Sequence, residues 1–146
     1  MARVYKEEPM EKLVKMEIGD QLITKSRPLT KTDLEMSVIV NGLYHPAFCT
    51  EEGAKKSGWR EPVFPGYVVL NYAIGLLIQT EVPILTIGYL GINDLKFVAP
   101  VYPGDAIRFE FLLTHKRQTK AGNYIIEYDF KVRNQDEKVC IEGHNV

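Results

Sequence analysis

Residues 41–52 read NGLYHPAFCTEE and bring Tyr44, His45 and Cys49 within six positions. An imidazole takes or gives a proton near neutral pH. A thiol beside it, close to a helix start, can be activated as a nucleophile. A tyrosine hydroxyl can orient a ligand. Each residue also has a plainer role. His45 can cap a helix or bond a backbone carbonyl, Tyr44 can pack with its tip wet, and Cys49 can be a small buried residue. The plainer roles are the expected ones, because catalysis needs a group within hydrogen-bond reach of the reacting atoms; of these three, His45 is the catalytic candidate. The basic run HKRQTK at 115–120, with Lys55 and Lys56, has the charge to meet phosphates, but basic hairpin tips are expected to be solvated. The histidines are His45, His115 and His144. Neither HExxH nor CxxC spacing occurs, so no metal site is expected.

Several elements must position these residues. TKTDLEMSVIVNG reads as a helix, with Thr32 and Glu35 at capping-box spacing and Gly42 at its C-terminal end. TEEGAKKSG reads as a short helix capped by Thr50, with acidic residues first, lysines last and Gly58 closing it. WREPVFPG is a loop. YVVLNYAIGLLIQT is apolar almost all round, so it is expected to be a helix buried on most sides, where Asn71 needs a partner across an interface or in a ligand pocket. A short β-prone run lies near Gln21–Ser26.

Beyond the apolar helix the pattern changes to strands. ILTIGYLGINDLKFVAPV is β-rich, and YPGD is a turn signal. Ile107, Phe109, Phe111 and Leu113 alternate onto one face, as do Ile126, Tyr128, Phe130 and Val132 after the KAGN turn. QDEK turns again into a last strand, VCIEGHNV. The fold class is α+β: a curved antiparallel sheet wrapped around one long apolar helix. One helix cannot cover so long a sheet, so a second subunit is expected to help.

Composition agrees with one domain over 1–146, with 1–15 a loose N-terminal arm. The chain has 146 residues, a hydrophobic fraction of 45% and a charged fraction of 25%, ordinary for a globular protein. The net charge of −1 argues against broad binding to nucleic acid or an anionic membrane. The N-terminal residues are charged and lack an apolar signal-like run, and the apolar stretch near Tyr67–Ile78 is short for a membrane span. A cytoplasmic location is therefore expected, with Cys49 and Cys140 as free thiols.

Met16 to Gly143 resembles the MaoC-like hydratases and dehydratases of the hotdog superfamily. The pieces that carry the resemblance occur in order: IGD at 18–20, TEEGAKKSGW, PVFPGYVVL, LKFVAPVYPGD and VRNQDEKVCIEG. It implies a hotdog fold and binding of acyl thioesters of coenzyme A or acyl carrier protein, with no separate cofactor. It also implies a subunit interface at the acyl site and reversible addition of water to a 2-enoyl thioester. That reaction needs a base for water, an acid for the α-carbon, and a group to hold the charge on the thioester oxygen. The family supplies the first two within a pattern like Gly-Asp-x-Asn-Pro-x-His, and the third with a backbone N–H at the start of the central helix.

Laid over GLYHPAF, that pattern matches Gly42 and Pro46 but puts Leu43 at the aspartate, His45 at the asparagine and Phe48 at the histidine. Neither Leu43 nor Phe48 can move a proton, and losing one such group commonly costs about 10²–10⁴ in rate. Pro65 stands where a histidine often precedes the helix glycine. Gly66 remains, either as oxyanion donor or as a residue chosen for close packing. The expected ligand-binding residues are therefore Gly66, Tyr44, Leu43, Phe48 and Pro65.

Three functions fit the sequence. The first is a thioester-binding protein or non-catalytic subunit, as a homodimer or paired with an active homologue. The second is an (R)-specific enoyl-CoA hydratase or 3-hydroxyacyl dehydratase using His45. The third is a thioesterase using Glu51, Glu52 or Glu61 near Gly66.

Overall fold

The computed structural model describes residues 13–82 and 87–146. Its elements are β1 (Gln21–Ile23), β2 (Arg27–Pro28), α1 (Lys31–Asn41), α2 (Pro46–Cys49), α3 (Glu51–Lys56), α4 (Gly66–Gln79), β3 (Ile92–Phe97), β4 (Ala106–Gln118), β5 (Tyr124–Arg133) and β6 (Val139–Asn145). The strands form an antiparallel sheet in the order β1-β4-β5-β6-β3, and β2 also pairs with β4. This is the expected α+β arrangement.

Period-two patterning decides which face of the sheet is dry. Ile107, Phe109, Phe111 and Leu113 of β4 are buried, as are Tyr128, Phe130 and Val132 of β5, whereas Ile126 is only partly buried. The register places Phe109 opposite Val132 and Phe111 opposite Phe130, with a bulge between Leu113 and His115. Within this layer the Phe109 and Phe130 rings stack at 5.3 Å.

Helix α4 lays Val68, Val69, Leu70, Ala73, Leu76 and Leu77 into the core. Its other face is open. Tyr67 and Ile78 are exposed, and so is Asn71. Asn71 therefore has water as a partner within one chain, contrary to the expectation of burial. The sheet covers one side of the helix, and an apolar sequence cannot bury a second side without something to pack against it.

The helix boundaries follow side-chain chemistry. Helix α1 begins two residues earlier than the Thr32–Glu35 pair suggests: the Thr30 hydroxyl accepts from the Asp33 N–H at 3.1 Å, and the Asp33 carboxylate accepts from the Thr30 N–H at 2.8 Å. Both pairs have capping-box spacing. The earlier one closes because Arg27 pairs with the other Asp33 oxygen at 2.9 Å, and the Tyr72 hydroxyl of α4 donates to the Asp33 carbonyl at 3.1 Å. The helix ends at Gly42, with φ of 66°, and the Leu43 N–H turns back to the Val38 carbonyl at 3.0 Å. That left-handed turn suits glycine.

Thr50 caps α3 as expected, accepting from the Gly53 N–H at 3.0 Å. A Cβ on Gly53 would lie 2.5 Å from Pro46, so glycine there lets α2 and α3 pack at a tight corner.

Of the N-terminal arm expected over 1–15, residues 1–12 lie outside the described residues. Leu13 and Met16 pack against the core, and the Lys116 ammonium donates to the Val14 and Met16 carbonyls at 2.6 Å each. Residues 83–86, which include the first three positions of the β-rich run ILTIGYLG, are likewise outside the described residues. Among the described residues, no helix is long and apolar enough to cross a membrane.

Candidate functional site

The turn at Gly42 delivers the GLYHPAF loop to the N-terminal end of α4. There a cleft of about 400 Å³ opens between α2, the loop after α3, the first turn of α4 and the segment Phe97–Val101 that leaves β3. Its wall brings together three residues singled out by sequence: His45, Phe48 and Gly66. The other three take up places around it. Leu43 is partly buried and packs against the core, Tyr44 is 71% exposed, and Pro65 is buried at the N-cap of α4. None of these three lines the cleft among its described residues.

His45 is the N-cap of α2, and its Nδ1 accepts from the Ala47 N–H at 3.1 Å. An acceptor Nδ1 puts the proton of neutral imidazole on Nε2. His45 therefore offers the cleft a donor, and its lone pair is already used. The Phe48 ring sits against it, centroids 5.4 Å apart, and is partly buried against the core. Local geometry explains both: Pro46 occupies the first turn of α2, where its missing N–H costs nothing, so the residue before it becomes the cap.

Gly66 opens α4 behind Pro65, which supplies no side-chain cap. The first N–H groups of a helix lack intrahelical acceptors and carry its positive end, so this turn suits a carbonyl oxygen or an anion. A Cβ on Gly66 would meet the Phe97 ring at 2.5 Å. Close packing thus also accounts for the glycine, and the two roles expected of it coincide. Phe97 in turn meets the exposed Tyr67 edge-on, centroids 5.0 Å apart.

No Asp, Glu, Lys or Arg is among the described residues lining the cleft. Glu51 and Glu52 are exposed at the start of α3, Glu61 is half-buried in the next loop, and none of the three faces the cleft. The wall can bind and orient through the Gly66 N–H, the His45 Nε2–H and the Ser57 hydroxyl. It lacks a carboxylate to activate water. Among the described residues no group of His, Cys, Asp and Glu is arranged to hold a metal ion. Sequence reasoning missed Trp59, Phe64 and Phe97, which complete the wall. They lie in WREPVFPG and LKFVAPV, which sequence alone reads as a loop and as part of a strand.

The remaining candidates fall elsewhere. Cys49 is exposed, contrary to the buried role expected of it, because it ends the short α2 where the chain turns outward; Cys140 is buried, and both thiols are free. Lys56 pairs with Glu52 at 2.7 Å in solvent. Within the basic run, Lys116 is tied to the N-terminal carbonyls, while His115, Arg117 and Lys120 are exposed. A second cavity, of about 420 Å³, lies at the other end of α4 and is lined by Leu77, Phe111, Tyr128 and Asn145 among others. There the Asn145 amide donates to the Tyr128 hydroxyl at 2.6 Å, and burial pushes the Tyr128 phenol well above its ordinary range.

Comparison with known proteins places this architecture. Protein MaoC of Klebsiella aerogenes is 35% identical over 101 residues, which span 69% of this chain and 29% of that protein. The chain thus matches under a third of its relative's length. An Archaeoglobus structure described as a monoamine oxidase regulatory protein superposes with a TM-score of 0.83 at 24% identity, covering 91% of this chain and 90% of its own. The (R)-hydratase of A. caviae involved in PHA biosynthesis superposes with a TM-score of 0.72 at 21% identity, covering 90% and 95%. These likenesses establish the hotdog fold, and residues 14–133 match the MaoC like domain. The chain is a member of the MaoC-like domain family, with the hydratase and dehydratase proteins as its structural neighbours.

Proposed function

We propose that the protein binds acyl thioesters of coenzyme A or acyl carrier protein in the cleft at the start of α4. It does not hydrate them by the family's standard chemistry. It serves as a binding protein or as the non-catalytic subunit beside an active homologue. The observation that carries this reading is the pair Leu43 and Phe48, at the aspartate and histidine positions of the family pattern. Phe48 lines the cleft, Leu43 packs against the core, and the described wall holds no carboxylate. The thioester oxygen is held by the first turn of α4 at Gly66, and His45 Nε2–H is a second donor. The thioester is the ligand and no further cofactor is required. Two free thiols suit a reducing cytoplasm.

A second copy adds to the β3 edge. Among the described residues that strand is paired on one side only, and Phe97 at its end and Val98 just beyond it are exposed. An unpaired apolar strand edge favours addition of another chain. Analytical ultracentrifugation is expected to give twice the 16.7 kDa chain mass; a monomer at micromolar concentration argues against it.

Hydration by His45 is the second reading, and the lone pair already committed to Ala47 speaks against it as a base. Hydrolysis is disfavoured because Glu51, Glu52 and Glu61 are absent from the described wall. The test is hydration of a short 2-enoyl-CoA by the protein alone, followed as loss of the conjugated thioester's absorbance, beside calorimetric binding of the saturated thioester. Binding without turnover is the expected result. Turnover that persists through purification would sink the non-catalytic reading.

A further inference from the structure

The wall of the cleft is unusually rich in rings. His45, Phe48, Trp59, Phe64 and Phe97 all face it, and aliphatic side chains such as Val69 and Val98 fill most of the rest. These rings are not equally engaged. Phe64 meets Tyr72 edge-on at 6.4 Å, and Phe97 meets Tyr67 at 5.0 Å. Phe48 has only the tilted contact with exposed His45, at 49°. Trp59 stacks on no other ring among the described residues and is 38% exposed. Two rings at the wall, Phe48 and Trp59, therefore keep stacking capacity that the fold itself does not use.

A ring presents a negative face and a positive edge, so a second ring placed offset or edge-on gains attraction beyond the area it buries. A linear alkyl chain gains only from area. We infer that the cleft selects thioesters whose acyl group ends in an aromatic ring over linear acyl groups of equal carbon number, with Trp59 and Phe48 as the rings that meet it. This rests on the thioester-binding reading above. Phe48 then has a positive role: at the position where the family's histidine would carry a proton, the benzyl ring supplies an apolar wall to the cleft. Gly66 fixes where the thioester oxygen lies, and Phe97, in contact with Gly66, makes the first ring of the wall that the acyl group passes.

The test is calorimetric titration of the whole protein with 3-phenylpropanoyl-CoA, nonanoyl-CoA and free coenzyme A. The two acyl groups have equal carbon number, and the linear one has the larger flexible apolar surface, so burial alone favours it. Trp59 is the only tryptophan of the chain, and its emission reports whether a ligand occupies this cleft. The phenyl thioester is expected to bind about tenfold tighter than the linear one and to change Trp59 emission. Trp59→Leu and Phe48→Leu, which keep the wall apolar, should each shrink the ratio of phenyl to linear affinity. Equal or tighter binding of nonanoyl-CoA overturns the inference and leaves thioester binding standing. If neither thioester binds better than free coenzyme A, the thioester-binding reading fails and this inference falls with it.

Discussion

At the scale of the residue, His45 shows how one side chain can be claimed by local structure before chemistry reaches it. Its type invites a role in proton transfer, yet its Nδ1 closes the first turn of α2. The expected consequence is a stability effect rather than a rate effect. His45→Ala should cost about 1 kcal/mol through loss of the cap, read as a lower denaturant midpoint. His45→Asn, whose side-chain oxygen can still accept from Ala47, should recover most of that loss. A base role would instead show both variants equally impaired in hydration. Leu43 and Phe48 make the complementary point. They are legible in sequence as replacements, but only their packing shows that Phe48 faces the cleft while Leu43 is directed into the core.

At the scale of the element, the start of α1 separates spacing from geometry. Thr30–Asp33 and Thr32–Glu35 satisfy the same pattern, and the first pair forms the box because Arg27 and Tyr72 already hold Asp33. Thr30→Ala is therefore expected to destabilise the protein by about 1 kcal/mol, whereas Thr32→Ala, at an exposed position inside the helix, should stay within about 0.5 kcal/mol of the parent. Urea midpoints of the two variants check this, and equal losses would restore the later helix start. Strands β4 and β5 needed no such arbitration, since apolar and polar residues alternate over 107–111 and 126–133 and leave one face to bury.

At the scale of the whole molecule, the outer face of the sheet carries a charge arrangement that ties stability to pH. His144 of β6 bonds Asp129 at 2.8 Å and Glu127 at 3.2 Å, both on β5. The Asp129 carboxylate is the main cause that raises its pKa above the ordinary histidine value, with burial opposing and Glu127 adding to the rise. A pKa raised by folding means that the folded chain holds its proton more tightly than the unfolded one. The gain is complete below the unfolded value of about 6.5 and is lost as pH rises through the folded value. The melting temperature should fall as pH rises through that window. His144→Gln should flatten the dependence there. An unchanged slope in the variant would show that His144 is not its source.

The sequence by itself determined a good deal. Alternation over β4 and β5, the glycine stops at Gly42 and Gly58, and the apolar run of α4 are local signals, set by side-chain period and backbone freedom, and they were enough to read the α+β fold. The resemblance to MaoC-like proteins also rested on short segments in order, and it pointed to the loop that borders the cleft. Tertiary structure decided what depends on residues far apart in the chain. It chose between two capping boxes through Arg27 and Tyr72, exposed Asn71 by leaving one side of α4 uncovered, and set Trp59, Phe64 and Phe97 in one wall with Phe48. No period or spacing links those four positions. Their shared wall exists because α4 lies against the sheet and brings the loop before it beside the segment that leaves β3.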